Sequence, residues 1–383
     1  MKAMVNGRIL LPDREIAGKA LLFDDRIVGV VDEAVARREA EEIIDAAGAY
    51  VCPGLVDVHI HGYLGADTSD GDMDGIRQMA AGVLANGVTS FLPTTMTVDW
   101  DILETVFLQL RTLQAESLRP DFAGAQILGC HAEGPFINPA RKGAQAASAI
   151  LPPDPAKVLP YRDVIRVITY APEMEGGMAF TRTLRQESDI CLSIGHTSAD
   201  FDCALEAIGL GASRVTHTFN AQTPLHHRDP GVVGAALTQN VYCELIADTF
   251  HVHPGVFLLM DRAKDDHLVL ITDCTRAGGL ADGEYTLGGQ PIFVKGIECR
   301  LADGTIAGSV LKLNDAVRNF RDHASIPMWK AVRAASLNAA QSAGVAARKG
   351  SLESGKDADI VLMDEDCRVL KTYVRGVCRY EQD

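Results

Sequence analysis

Between residues 53 and 345 one unit keeps repeating, a short apolar run followed by a longer helix-compatible stretch. The apolar runs fall at 55–60, 90–94, 127–130, 164–170, 190–194, 215–217, 243–247 and 268–272. Helix-compatible stretches such as 73–86 and 201–209 separate them. Strand–helix alternation repeated about eight times predicts an α/β fold, a TIM-like (β/α)8 barrel. A doubly wound sheet is the rival reading.

The two ends of the chain read differently. Short β-rich runs at 9–11, 20–23 and 27–31 alternate with turns, and Asp24-Asp25 suits a hairpin between two of them. Similar runs return at 360–363, 369–370 and 373–377. Short strands at both ends of a long, different middle predict a small β-sandwich domain. It would be built from 1–52 plus 346–383 around a barrel at 53–345. Residues 283–307 read as a β-hairpin excursion near the end of the barrel.

Charge narrows the possible partners. With 36 basic and 51 acidic side chains the net charge is −15, which argues against nucleic acid or an anionic membrane. A small anionic substrate in a locally positive pocket remains open. No run of about 18 apolar residues exists, so no transmembrane helix is expected. The N-terminus has no apolar core of a signal peptide. Nine cysteines without a CxxC pair read as free thiols in a reducing compartment, so a cytoplasmic location is expected.

A barrel's active site lies at the carboxyl ends of its strands. His59, His61, Glu133, His196, His217, His251 and Asp273 each close an apolar run or follow one directly. One histidine at a strand end is ordinarily structural; seven metal-compatible or acid–base residues at successive strand ends point to chemistry. His59 and His61 are two apart, which puts both imidazoles on one face of a strand, where they can share a cation such as zinc or iron. A pair of hydrogen-bonded, barrel-lining histidines is the bland alternative.

Pro53-Gly54-Leu55-Val56-Asp57-Val58-His59-Ile60-His61-Gly62 resembles the first-strand signature of the metal-dependent amidohydrolase superfamily. The stretch 350–361 resembles that superfamily's return into its β-sandwich. His131-Ala132-Glu133-Gly134-Pro135-Phe136 is similar to a motif of its N-acetylglucosamine-6-phosphate deacetylase family. So are Ala171-Pro172-Glu173, Gly195-His196-Thr197, Thr216-His217-Thr218-Phe219-Asn220-Ala221, Arg228-Asp229-Pro230-Gly231, Asp248 with His251, and Thr272-Asp273. These motifs keep family order over nearly the whole chain.

The resemblance implies hydrolysis of the acetamide of N-acetyl-D-glucosamine 6-phosphate to D-glucosamine 6-phosphate and acetate. A metal-bound hydroxide would attack the carbonyl. Glu133, His196 and His217 would hold the main divalent cation, with a second at His59 and His61 bridged by Glu133. Zinc is the first candidate, then iron, manganese or cobalt. One or two cations per subunit both remain open. Asp273 would be the acid/base, taking a proton from the attacking water and handing it to the leaving amine. For Asp273 the bland alternative is a helix N-cap.

Asn220, Ala221, Arg228 and His251 match positions the family uses for the sugar phosphate, and Gly308 and Ser309 resemble a loop that contacts the sugar. Family dimers can bring the Arg228 loop from the neighbouring subunit, so a homodimer is expected. Some relatives carry a carbonyl-polarising histidine a dozen residues after the ligand glutamate. This chain has Gln145, which donates a hydrogen bond but carries no proton to transfer. More of the polarisation would then fall to the second cation. His131 reads as support for Glu133, while His226, His227, His253, His267 and His323 read as surface or structural. Three other readings stand beside this one. They are a deacetylase of the galactosamine epimer or another N-acyl amino sugar, a cyclic-amide hydrolase, and a non-catalytic scaffold.

Overall fold

A computed structural model describes residues 1–382. Eight parallel strands form the barrel: β1 Leu55–Ile60, β2 Val88–Thr95, β3 Cys130–Glu133, β4 Ile165–Tyr170, β5 Cys191–Ile194, β6 Arg214–Val215, β7 Tyr242–Ile246 and β8 Leu268–Ile271. Consecutive strands pair, and bridging between Ile60 and Cys274 joins the last strand's end to β1. The strands are almost wholly buried, because the helices cover them outside and side chains fill them inside. That explains why the sequence shows continuous apolar runs rather than alternation.

Two strands differ from their sequence reading. The 127–130 run is broken at Gly129, whose φ of 140° turns the chain; Gln126–Ile127 and Cys130–Glu133 pair with successive parts of β2. At Gly129 a Cβ would lie 2.5 Å from the Val164 carbonyl oxygen, so no side chain fits there. β6 keeps only two strand residues, and Thr216 and His217 already belong to the loop.

Both termini build the sandwich. One sheet has the order Ile27–Asp32, Lys19–Phe23, Lys2–Val5, Glu42–Asp45, with the expected hairpin turn at Asp24-Asp25. In the other, Tyr50–Pro53 pairs antiparallel with Ile360–Met363, which welds the chain's beginning to its end. Between the sheets pack Met4, Leu21, Phe23, Val51, Ile360 and Leu362. A helix, Glu33–Glu39, interrupts the N-terminal strands. The 283–307 excursion is a three-stranded antiparallel sheet, Gly283–Leu287, Gln290–Lys295 and Glu298–Leu301. All nine cysteines are free. Among the described residues no helix is long and apolar enough to cross a membrane.

Candidate metal centre and active site

The carboxyl ends of the strands bring the polar residues to one point. His59 lies in β1, His61 directly follows its last residue, and Glu133 ends β3. His196, His217 and Asp273 each follow the last residue of β5, β6 and β8 by two. All three of these have left-handed backbone, with φ of 47°, 26° and 50°. Such conformations cost on the order of 1–3 kcal/mol each and persist only where the surroundings fix them. Main-chain bonds do so here: Asn138 donates to the His196 carbonyl, Asp273 donates to the His59 carbonyl, and Ser309 donates to the Asp273 carbonyl, all at 2.8–2.9 Å.

Four imidazoles are oriented by their Nδ1 atoms. The acceptors are Glu244 Oε2 for His59 (2.9 Å), the Thr94 carbonyl for His61 (3.1 Å), the Arg141 carbonyl for His196 (2.8 Å) and the Asn220 carbonyl for His217 (3.2 Å). An acceptor opposite Nδ1 places the proton there and leaves the lone pair on Nε2. The four Nε2 atoms then converge on carboxylate oxygens. His196 and His217 lie 3.1 and 3.0 Å from Glu133 Oε1 and 3.1 Å from each other. His61 lies 3.3 Å from Glu133 Oε2 and 3.1 Å from Asp273 Oδ1. His59 Nε2 sits 3.5 Å from Glu133 Oε1 and 3.4 Å from Asp273 Oδ1, buried and without a hydrogen-bond partner.

None of these six side chains is more than 10% exposed. Convergent lone pairs in so dry a place need positive charge between them. Protons supply some of it when no cation is bound. Burial opposes charging of His61, but its hydrogen bonds to Asp273 and Glu133 outweigh that and lift its pKa well above the usual value. His196 is raised against burial by Glu133. Burial would raise Glu133, yet His196 and His59 hold it well below the carboxylate range; Asp273 is lowered against burial by His59 and His61. The donor set also fits divalent cations of the zinc, iron, manganese and cobalt group. Three triads have mutually close ligand atoms: Glu133–His196–His217 and His59–His61–Glu133, which share Glu133, and His59–His131–Glu244 below them.

The cluster floors a cleft of about 500 Å³, counting the space open to solvent at its mouth. Asn220, Ala221, His251 and Gly308 line it, as does an apolar wall of Met96, Leu287 and Ile306, of which Leu287 belongs to the three-stranded sheet. His251 donates from Nδ1 to Asp248 Oδ2 at 2.6 Å, which leaves Nε2 for the cleft.

Three sequence-derived candidates sit differently from the rest. Gln145 Oε1 accepts from the Thr97 N–H, which fixes the amide so that Nε2 donates to Glu133 Oε2, both at 2.6 Å. Gln145 therefore steadies the glutamate at the cleft wall. Ser309 spends its hydroxyl on the Thr272 carbonyl and its N–H on that of Asp273, so it braces the Asp273 loop, while Gly308 alone of that pair lines the cleft. Arg228 is not brought to the cleft of its own chain. It lies in the exposed segment 224–229 and donates to His227 Nε2 at 2.7 Å.

Sequence reasoning passed over Glu244 and Arg214, fully buried and bonded to each other below the histidines. Their one sequence signal is a charged residue inside or beside a short apolar run. His131, expected to support Glu133, instead bonds the Val58 carbonyl and Thr169 Oγ1.

Known proteins resemble this chain over nearly its whole length. The Amidohydrolase family model matches residues 50–378. N-acetylglucosamine-6-phosphate deacetylase of Bacillus subtilis (strain 168) is 40% identical over 359 residues, 92% of this chain and 90% of that protein. N-acetylgalactosamine-6-phosphate deacetylase of Escherichia coli O157:H7 is 34% identical over 92% of this chain and 94% of its own length. A mutant N-acetyl-D-glucosamine-6-phosphate deacetylase from Mycobacterium smegmatis, solved in complex with N-acetyl-D-glucosamine-6-phosphate, superposes with a TM-score of 0.89 at 29% identity, covering 99% of both chains. The chain belongs to the amidohydrolase family and, within it, to the N-acetylglucosamine-6-phosphate deacetylases.

Proposed function

We propose that this chain hydrolyses the acetamide of N-acetyl-D-glucosamine 6-phosphate to D-glucosamine 6-phosphate and acetate. The observation that carries the reading is the convergence of four Nε2 lone pairs on Glu133 and Asp273 at the floor of a cleft. Glu133, His196 and His217 would hold one divalent cation, and His59 and His61 with Glu133 a second, zinc being the first candidate. A divalent cation in such a site acidifies water and polarises a carbonyl. Asp273 takes the proton from water as its oxygen bonds to the acetamide carbon. It then delivers that proton to the amine nitrogen as the C–N bond breaks, since an unprotonated amine leaves poorly. Gln145 holds Glu133 during both steps.

The phosphate needs a cation that the cleft does not supply from its own chain. No Lys or Arg is among its lining residues, and His251 and Asn220 are the candidate donors there. Arg228, on its exposed loop, would reach the cleft of a second copy, which makes the working unit a homodimer. The phosphorylated substrate and nine free thiols suit the cytoplasm.

The test is acetate release from the gluco and galacto epimers, each with and without the 6-phosphate, beside metal analysis of the protein. The expected order puts N-acetylglucosamine 6-phosphate first in kcat/KM. Equal rates with and without phosphate refute the roles of Arg228 and His251. A preference for the galacto epimer refutes the substrate, and no acetate release from any sugar refutes the activity.

A further inference from the structure

Beneath the ligand cluster a single carboxylate touches both halves of it. Glu244 lies fully buried in the middle of β7. Its Oε2 accepts from His59 Nδ1 and from the main-chain N–H of His217, both at 2.9 Å. Its Oε1 accepts from Arg214 Nε and Nη2 at 2.9 and 2.5 Å. Arg214 is equally buried and donates through Nη1 to Ser342 Oγ at 3.0 Å, on the helix Leu337–Ser342.

Each contact has a chemical consequence. A carboxylate can only accept, so it fixes the proton of His59 on Nδ1 and turns the Nε2 lone pair toward the cluster. That Nε2 is the one with no hydrogen-bond partner. The second contact pins the amide of His217, the most strained ligand backbone with φ of 26°. Arg214 supplies the counter-charge that a buried carboxylate requires. His59 belongs to one cation position and His217 to the other.

We infer that Glu244, backed by Arg214, is a positioning residue that couples the two cation positions, so that one change beneath the cluster weakens both. The inference rests on the two-position reading of the function given above. Removing Glu244 alone would strand a buried arginine, so the informative variant replaces the pair by apolar side chains, Arg214→Met with Glu244→Leu. Such replacements commonly leave a fold intact. A second variant, Glu244→Asp, keeps the charge pair but draws the oxygen back from His59 and His217.

Chelator-stripped full-length protein is titrated with Co(II), following the visible absorption and competition with a chelator, and its thermal unfolding is recorded. Both variants are expected to unfold cooperatively while binding each cobalt equivalent about 10–100-fold more weakly, with an altered cobalt spectrum. Arg214→Met with Glu244→Gln returns an acceptor oxygen and is expected to restore most of the affinity. Wild-type affinities and spectrum in the apolar pair overturn the inference; should that pair fail to fold, the same result in Glu244→Asp overturns it. A wild-type chain that takes up fewer than two equivalents refutes the two-position reading itself, and the inference with it.

Discussion

Asp273→Asn separates geometry from proton transfer at this site. The backbone of Asp273 has φ of 50°, a conformation that Asn accepts as readily as Asp. Its N–H and carbonyl bonds to His59 and Ser309 do not involve the side chain, so the loop stays in place. The amide is nearly isosteric and still offers an oxygen toward His61 Nε2, which Asp273 Oδ1 approaches to 3.1 Å. What it cannot do is take a proton from water and pass it on. General acid–base catalysis contributes on the order of 10²–10⁴ in rate, or about 2.7–5.4 kcal/mol of barrier. The loss should appear in kcat for acetate release from N-acetylglucosamine 6-phosphate, with KM little changed and cation content unchanged. A fall of less than tenfold with full cation content refutes Asp273 as the acid/base. Asp273→Ala adds a cost of about 1–2 kcal/mol for a Cβ residue without a polar tip in left-handed backbone. It should therefore unfold at lower denaturant than the Asn variant, and coincident midpoints would show that the strain has been misread.

Gln145→Ala strands the buried Thr97 N–H and removes one bond to Glu133, so a stability loss of about 1–3 kcal/mol is expected. Its loss in turnover should be smaller than that of Asp273→Asn, and a comparable loss refutes the supporting role. In chelator-stripped protein the carboxylate partners of His61 and His196 raise both pKa values against the effect of burial, so an arriving cation competes with protons for these imidazoles. Cation uptake should then release protons and tighten as pH rises; a calorimetric titration in two buffers that shows no proton release contradicts this. Lys349 is buried and lies 3.0 Å from Asp357 and 2.7 Å from Asp359, so Lys349→Met should cost about 3–5 kcal/mol at neutral pH. Burial would raise Asp357, but Lys349 and Arg348 hold it below its ordinary value. That contribution is complete above the unfolded pKa of about 3.9 and is lost as pH falls through the lower folded value. The gap between wild-type and variant denaturant midpoints should therefore close in acid, and a gap that widens there refutes the assignment.

What the sequence made legible follows from burial. Barrel strands covered on both faces must be apolar throughout, so all eight runs stand out, and a polar residue ending such a run is conspicuous. His59, His61, Glu133, His196, His217 and Asp273 were visible for that reason. Strand limits were less legible because they depend on main-chain pairing. β6 needs only Arg214 and Val215 to bridge its neighbours. The helix Glu33–Glu39 buries only Ala36, too little apolar surface to leave a pattern. The direction of a loop side chain is set by contacts far along the chain. Nothing near Gln145 reveals Thr97 and Glu133 as its partners, and nothing near Ser309 reveals Thr272. Arg228 matched a motif by position, yet position could not say that its side chain would lie on an exposed loop against His227. Glu244 was hidden for a further reason: alternation tells which way a strand residue points, not that His59 and His217 wait there.

Two kinds of stored cost meet at this site, and a cation acts on only one. The left-handed backbones of His196 and His217 are strained whether or not an ion is bound, so the barrel must hold them, the His196 carbonyl by the Asn138 N–H and the His217 N–H by the Glu244 carboxylate. The four convergent lone pairs are unfavourable only while nothing positive lies between them. Strain fixes where the ligands point before any ion arrives. Lone-pair repulsion is what the ion removes, so the folded chain should gain stability on binding it. Glu244 stands where the two costs touch, since one oxygen both pins the His217 backbone and aims the His59 lone pair. Relaxing either would blur the other, so the rigid floor of the cleft sets the ligand geometry on which cation binding depends.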